Sequence, residues 1–489
     1  MELNLTDILV ALPEIFLMSM IVIILLYESL NKNAKQSMLC TLSLIALFGT
    51  GALGLFQYNV DVTGGVVANN FFWFGEIIYN PLITLLKVFM VLIVAFGLIY
   101  STNRLSENDI ANAEYYVLIL LSTLGMLVLV SAGSMLTIYV GLELMSLPMY
   151  ALVALHRKSN KGSEAAMKYF VMGAMSSGIL LFGMALLYGA TGSLKIAAIS
   201  DVLVEGLTDS QSRLILFSSV FLIVGTVFKL GAAPFHGWVP DVYEGAPAPV
   251  AMFIGAAPKI AAFMMGVIIL LGGLSSLADK WEPFIIAIAI ISFVIGNLVA
   301  LKQENIRRML GYSAVSHAGF IILGLLIANT DNATLSAGLF YAITYAMTTT
   351  AAFGFLLSVK INGREIQSID DLKGFAKNHA WYAILMAMVM LSMGGIPFFV
   401  GFYAKFVVLR AAFEAGYLYT VVIALLMSVI GLYYYLRVIK VMFFDEEVAG
   451  RTLTVEANGL SKVFFNVNTA LLVVLGVAPS LLLALLNIF

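Results

Sequence analysis

Apolar runs of about 20 residues, the length that crosses a hydrocarbon core, recur in this chain from Ile8 to Phe489. Between polar breaks there are fourteen: 8–30, 37–58, 77–101, 114–132, 134–155, 164–190, 213–243, 248–272, 283–302, 309–329, 333–361, 379–414, 417–443 and 462–489. The connections are loops, too short to hold a soluble domain. Charged residues make up 11% of the chain, against about 25% in soluble domains, so water is not its main solvent. The expected fold is an all-α polytopic membrane protein with about 14 transmembrane helices. The first run is expected to be retained: Glu2 and Asp7 precede it, and it continues unbroken to Tyr27, whereas a signal peptide has a basic start and a shorter apolar stretch.

Composition narrows the chemistry. The net charge of −2 argues against nucleic acid as a partner. Cys40 is the single cysteine, too few for an iron–sulfur cluster or an internal disulfide. No glycine-rich dinucleotide fingerprint stands between a strand and a helix. Neither a bound cofactor nor a metal is expected on this chain, and any redox step would belong to another polypeptide.

Lysine and arginine in the loops set the expected orientation. Seventeen of the 26, among them Lys158, Arg308 and Lys373, fall on one side, four on the other, and five within runs. The richer side should be cytoplasmic and both termini periplasmic. Two runs are too long for one straight helix and carry internal breakers, Gly231 to Pro234 in the seventh and Gly394 to Pro397 in the twelfth. They are five runs apart, so runs 4–8 (114–272) and 9–13 (283–443) are expected to form inverted five-helix repeats. Residues 1–101 would supply three N-terminal helices and 462–489 a C-terminal one. Paired interruptions of this kind point to a transport site.

Ionisable residues lie where few are tolerated. Glu143 falls roughly 14 Å inside its run at 1.5 Å per residue, His317 at a similar depth, and Lys259 about ten residues deep. Lys229 precedes the seventh-run break and Lys405 follows the twelfth. A charge at mid-bilayer costs on the order of 3 kcal/mol or more. A static pair of Glu143 with one lysine would leave the other bases unexplained. Burial lowers a lysine's pKa and a nearby carboxylate raises it. At an effective dielectric near 20, moving a carboxylate from about 4 to 8 Å weakens the attraction by roughly 2 kcal/mol, enough to load or release a proton. Bland readings stand beside the weaker candidates. His317 is either a core histidine or, with Tyr312, Ser313 and Ser316, a proton relay. Glu164 and Lys168 form a surface pair or a proton inlet, and Lys87 and Glu14 read as snorkelling side chains.

The segments LPEIFL (12–17), YVGLELMSLPMYAL (139–152), EAAMKYFVMGAMSSGILLFGMALLYGATGS (164–193), FKLGAAPFHGWVPDVYEGAP (228–247) and NIRRMLGYSAVSHAGF (305–320) resemble subunit N of the proton-pumping NADH–quinone oxidoreductase family, over nearly the whole chain. The resemblance implies fourteen helices, broken helices seven and twelve, and residence in a bacterial inner membrane. It implies that Glu143 and Lys229 form the input pair, that Lys259 connects half-channels, that His317 bridges the centre and that Lys405 is the terminal proton site. Glu164 and Lys168 would serve cytoplasmic proton uptake. It also implies partner subunits: the antiporter-like subunit M, small membrane subunits, and others carrying FMN, iron–sulfur clusters and quinone. The related subunit L carries a long lateral helix for which the chain, ending with its fourteenth run, is expected to have no room. Subunit M typically has glutamate where Lys405 stands. Other readings open on the residues alone are a subunit of a multisubunit cation/proton antiporter, a stand-alone solute symporter and a purely structural membrane subunit.

Overall fold

The computed structural model describes residues 5–31, 35–64, 70–107, 113–156, 159–329, 332–448 and 450–486. Lys32, Arg157 and Lys158, counted above for orientation, lie outside the described residues. Among the described residues there are thirteen helices long and apolar enough to cross a membrane, and a shorter apolar one at Ala380–Gly394. They match the fourteen apolar runs one for one. The eighth, tenth and eleventh spans form the centre: 89%, 94% and 94% of their most apolar stretch is buried, against 28% in the first, thirteenth and fourteenth.

Both expected breaks are present, and both end on a left-handed glycine. The first half of the seventh span, Asp209–Leu230, opens with a Thr208–Gln211 capping box and closes at Gly231, whose φ is +71°. The chain resumes as Trp238–Gly245. The twelfth span runs Ala380–Gly394, closes at Gly395 with φ +83°, and resumes as Val400–Glu414. Glycine adopts this conformation without a Cβ penalty, so it is the usual residue past a helix end. A further likeness between the repeats is close backbone contact early in each. Gly125 in the fourth span abuts the backbone of Met145 in the fifth, and Gly296 in the ninth abuts that of Ser316 in the tenth.

The eighth span differs from the single straight helix read in the sequence. It divides into Ala248–Gly255 and Ala257–Gly266, continuing as a π-helix over Val267–Gly273. The kink is at Ala256, with φ −109° and ψ −104°. Pro258 is the physical reason, since it has no N–H for the carbonyl four residues back. Lys259 consequently lies in the first turn of a new half-helix rather than inside a continuous one.

Two small sheets cover the loops. Strands β1 (Asn70–Phe72) and β2 (Ile77–Tyr79) form a hairpin. Strand β3 (Val359–Ile361) pairs antiparallel with both β4 (Arg364–Glu365) and β5 (Leu453–Val455), tying the loop after the eleventh span to the loop after the thirteenth. Arg104, 2% exposed, donates to the carbonyls of Leu357 and Val359 at 2.7 and 2.9 Å, fastening the third span to the end of the eleventh. Lys87 and Glu14 correct the snorkelling expectation. They form an ion pair at 2.5 Å between the third and first spans, with side chains 6% and 13% exposed. A partner within reach stabilises an ammonium at this depth without a detour to the headgroups.

Candidate functional site

Lys229 occupies the last turn of the first seventh-span half and is 8% exposed. Its ammonium donates to Ser146 Oγ at 2.8 Å and to the Tyr150 hydroxyl at 2.9 Å. Both acceptors belong to the fifth span, Met135–Val153, and with Glu143 they occupy one face at i, i+3 and i+7. Glu143 itself makes no direct ion pair with Lys229. Its Oε1 is buried with no hydrogen-bond partner among the described residues. Two neutral hydroxyls therefore hold the ammonium where the sequence led us to expect a carboxylate.

Lys259, 1% exposed, donates at 2.7 Å to the carbonyl of Leu230, the last residue of the first seventh-span half. It also lies over the Trp238 ring, 5.4 Å from its centroid. Lys405 makes the equivalent contact in the second repeat. It donates at 3.1 and 3.2 Å to the carbonyls of Met393 and Gly394, the end of the first twelfth-span half, and lies over the Phe320 ring at 5.5 Å. A helix C-terminus presents unpaired carbonyls and partial negative charge, so a cation there is favoured. One lysine comes from the eighth span and the other from the far side of its own break, yet both cap the end of a broken half-helix. Lys405 is also less enclosed, facing a cleft of about 470 Å³ between the twelfth and thirteenth spans.

His317, 7% exposed, is bound at both ring nitrogens, Nδ1 to the Tyr341 hydroxyl at 2.7 Å and Nε2 to the Tyr435 hydroxyl at 3.1 Å. Of its three polar neighbours in sequence, Ser313 reaches it through Tyr435, Ser316 bonds Asn297 at 2.8 Å, and Tyr312 lies beside His236 and Arg308.

At the face rich in lysine and arginine, Glu164 and Lys168 belong to a wider network. Lys168 reaches Glu164 at 2.8 Å and Asp241 at 2.7 Å; Arg308 reaches Asp241 at 2.6 Å and Glu244 at 3.1 Å; Lys161 reaches Glu244 at 3.0 Å. Burial alone would raise the Glu244 carboxyl, but the hydrogen bonds from Lys161 and Arg308 hold it below the usual carboxylate range. This network joins the sixth span, the second half of the seventh and the tenth. Ser146 and Tyr150 had a legible signal in their helical spacing from Glu143. Asp241, Tyr341 and Tyr435 had none, because their partners are remote in sequence.

No group of three or more histidine, cysteine, aspartate or glutamate side chains suited to a metal occurs among the described residues. The arrangement is a row of bases in the protein interior across two inverted repeats, each with one span broken at a glycine, which defines an antiporter-like membrane subunit. Residues 132–431 match the family described as NADH:quinone oxidoreductase/Mrp antiporter, TM. The chain is 42% identical to NADH-quinone oxidoreductase subunit N of Azoarcus sp. (strain BH72), over 96% of this chain and 94% of that one. It is 40% identical to subunit N of Nitrosomonas europaea, over 99% and 98%. Among solved structures, a chain of respiratory complex I from Thermus thermophilus superposes with a TM-score of 0.79 at 28% identity, over 96% of this chain and 98% of that one. A chain of the Mrp complex from Dietzia sp. gives 0.84 at 20% identity, over 99% and 97%, a likeness of fold. The chain belongs to the NADH-quinone oxidoreductase subunit N family.

Proposed function

We propose that this chain moves protons across a bacterial inner membrane through Glu143, Lys229, Lys259, His317 and Lys405, with Glu164 and Lys168 at the uptake side. It is a membrane subunit of NADH–quinone oxidoreductase, coupling electron transfer in partner subunits to proton pumping. The observation that carries the residue assignment is the row itself. Lys229, Lys259, His317 and Lys405 are held by hydroxyls and helix-end carbonyls, partners that support a charged lysine without fixing it in a static ion pair, and the acid Glu143 lies on the same fifth-span face as the hydroxyls that hold Lys229. Lys229 and Lys259 meet at adjacent backbone positions, since Lys259 binds the carbonyl of Leu230. A proton leaving one would therefore alter the field at the other.

Residues 1–101, 114–272, 283–443 and 462–489 would form the N-terminal helices, the two repeats and the closing helix. FMN, iron–sulfur clusters and quinone would reside in partner subunits, and subunit M and small membrane subunits would flank this chain in the lipid. The lysine- and arginine-rich face would be cytoplasmic and both termini periplasmic. Reporter fusions should then place the loops near Arg308 and Lys373 in the cytoplasm, and a cytoplasmic C-terminus would overturn that orientation. The decisive experiment is proton uptake per electron in proteoliposomes of the whole complex, with Lys259→Met in this chain. Wild-type coupling by an assembled Lys259→Met complex would remove the lysine row from the path.

A further inference from the structure

One hydrogen-bonded chain in the core runs through His317 without using a lysine. Tyr435 of the thirteenth span bonds His317 Nε2 at 3.1 Å and Ser313 Oγ at 2.5 Å, while Tyr341 of the eleventh span bonds His317 Nδ1 at 2.7 Å. Ser313, Tyr341 and Tyr435 are 1–2% exposed. Ser313 stands one helical turn before His317, toward the lysine- and arginine-rich face. On the other side, His317 and Tyr341 border a cavity of about 20 Å³ shared with Thr344, Ser392 and Met393. That volume suits one water molecule, and the carbonyl of Met393 is one that Lys405 binds.

We propose that Tyr435 and Tyr341 are proton-relay residues that carry a proton through His317 by tautomer exchange, giving the second repeat its own branch from the basic face to Lys405. The proposal rests on the proton-translocating reading above. A neutral imidazole has one donor and one acceptor nitrogen, and each hydroxyl is both donor and acceptor. A proton taken up at Ser313 Oγ releases the hydroxyl proton of Ser313 to the Tyr435 oxygen. Tyr435 gives its own proton to Nε2, Nδ1 gives its proton to the Tyr341 oxygen, and Tyr341 releases its proton into the cavity. One proton enters and one leaves, and no group in the chain retains charge. Rotation of the hydroxyls and return of the tautomer reset the relay.

The test uses the assembled complex in proteoliposomes, with proton uptake per electron and its solvent deuterium isotope effect as readouts. Tyr435→Phe, Tyr341→Phe and Ser313→Ala each remove a hydroxyl and keep most of the packing. Each is expected to lower uptake per electron toward the Lys405→Met level and to change the isotope effect. Tyr345→Phe is the control, because its ring packs 4.8 Å from that of His317 and none of the hydrogen bonds described for the imidazole goes to its hydroxyl. Equal losses in Tyr345→Phe would mean packing alone and overturn the relay. Wild-type coupling in Tyr435→Phe or Ser313→Ala, with a defect in Lys259→Met, would overturn the relay and leave the lysine row standing. Wild-type coupling in all of them would remove both.

Discussion

Lys259 Nζ lies 2.7 Å from the carbonyl oxygen of Leu230, so a lysine of the eighth span closes the broken end of the seventh. This contact fixes two things at once: it supplies a donor to a carbonyl that lost its helical partner, and it places positive charge at the negative end of a half-helix. Such an interaction contributes up to about 2 kcal/mol in a partly buried geometry. Losing a proton from Lys259 removes the charge but leaves an amine that still donates. Lys259→Arg should therefore retain assembly and lose much of the pumping, since arginine does not deprotonate. Lys259→Met should lose pumping and also reduce the amount of assembled complex, because the Leu230 carbonyl is left unpaired in the core. Quantifying assembled complex alongside proton uptake per electron separates the two effects.

Left-handed glycines at helix ends differ in what surrounds them: Gly231 closes the first seventh-span half, and Gly192 closes the sixth span, Asn160–Thr191. Gly231 and Gly192 share the same left-handed φ of +71°, but a Cβ at Gly192 meets nothing within 4 Å. At Gly231 it would lie 2.6 Å from Val239 Cγ2 and 3.1 Å from Lys259 Nζ. Gly192→Ala should thus cost only the left-handed penalty, about 1–2 kcal/mol. Gly231→Ala should cost more and displace the Lys259 ammonium. The expected outcome is near-normal coupling in the Gly192→Ala complex and a clear loss in Gly231→Ala. Equal behaviour of the two would contradict the role assigned to the break.

Much of this architecture was legible because membrane burial writes it plainly. The spans are long apolar runs, and Gly231–Pro234 and Gly394–Pro397 interrupt them with residues that cannot continue a helix. Lys229, Lys259, His317 and Lys405 stood out because an ionisable group at such depth needs a reason. What they bind was legible only as the helical spacing of Ser146 and Tyr150 from Glu143. Ser146 and Tyr150 hold Lys229 because one face of the fifth span lies within hydrogen-bond reach of the end of the first seventh-span half, and the capping of Leu230 by Lys259 follows from the kink at Ala256. The Pro258 signal was present, but one proline near a lysine gave no direction. The small sheet of β3, β4 and β5 is built from two- and three-residue strands, too short for any alternation to show.

The acidic side chains at the basic face make a pH-dependent prediction. Glu244 is held below its ordinary pKa by Lys161 and Arg308. A carboxylate depressed in the folded state contributes stability that is fully present above the unfolded value, about 4.3 for glutamate, and is lost as pH falls through the folded value. The side chains are 20–30% exposed for Glu244 and Arg308 and 75% for Lys161, so screening limits the contribution to about 1 kcal/mol or less. Glu244→Gln should lower the thermal midpoint of the purified complex by a constant amount between about pH 6 and about pH 8. The gap should close only in acid, below the ordinary glutamate range. A gap that varied across neutrality would assign the effect to another group.

The last prediction concerns Glu143 and Lys229, which do not touch, although the hydroxyls that hold Lys229 stand on the same fifth-span face as Glu143. Glu143 Oε1 is buried and unpaired among the described residues, and Lys229 is held by Ser146 and Tyr150. If the carboxylate sets when Lys229 keeps its proton, the two act as one unit and their defects should not add. Glu143→Ala weakens pumping by removing the charge that favours protonated Lys229, and Lys229→Ala weakens it by removing the carrier. The double variant should then be no worse than the poorer single, whereas independent sites would multiply their losses. Glu143→Asp should retain part of the activity, with the charge kept at shorter reach. Tyr150→Phe should be milder than Lys229→Ala, because Ser146 still accepts from the ammonium, and it should add nothing to the Lys229→Ala defect. Removing one member of a buried charged set can cost about 3–5 kcal/mol, so each complex must be shown to contain this chain before uptake per electron is compared. Multiplicative losses in the double variant would break the coupling between Glu143 and Lys229 while leaving each as a separate site.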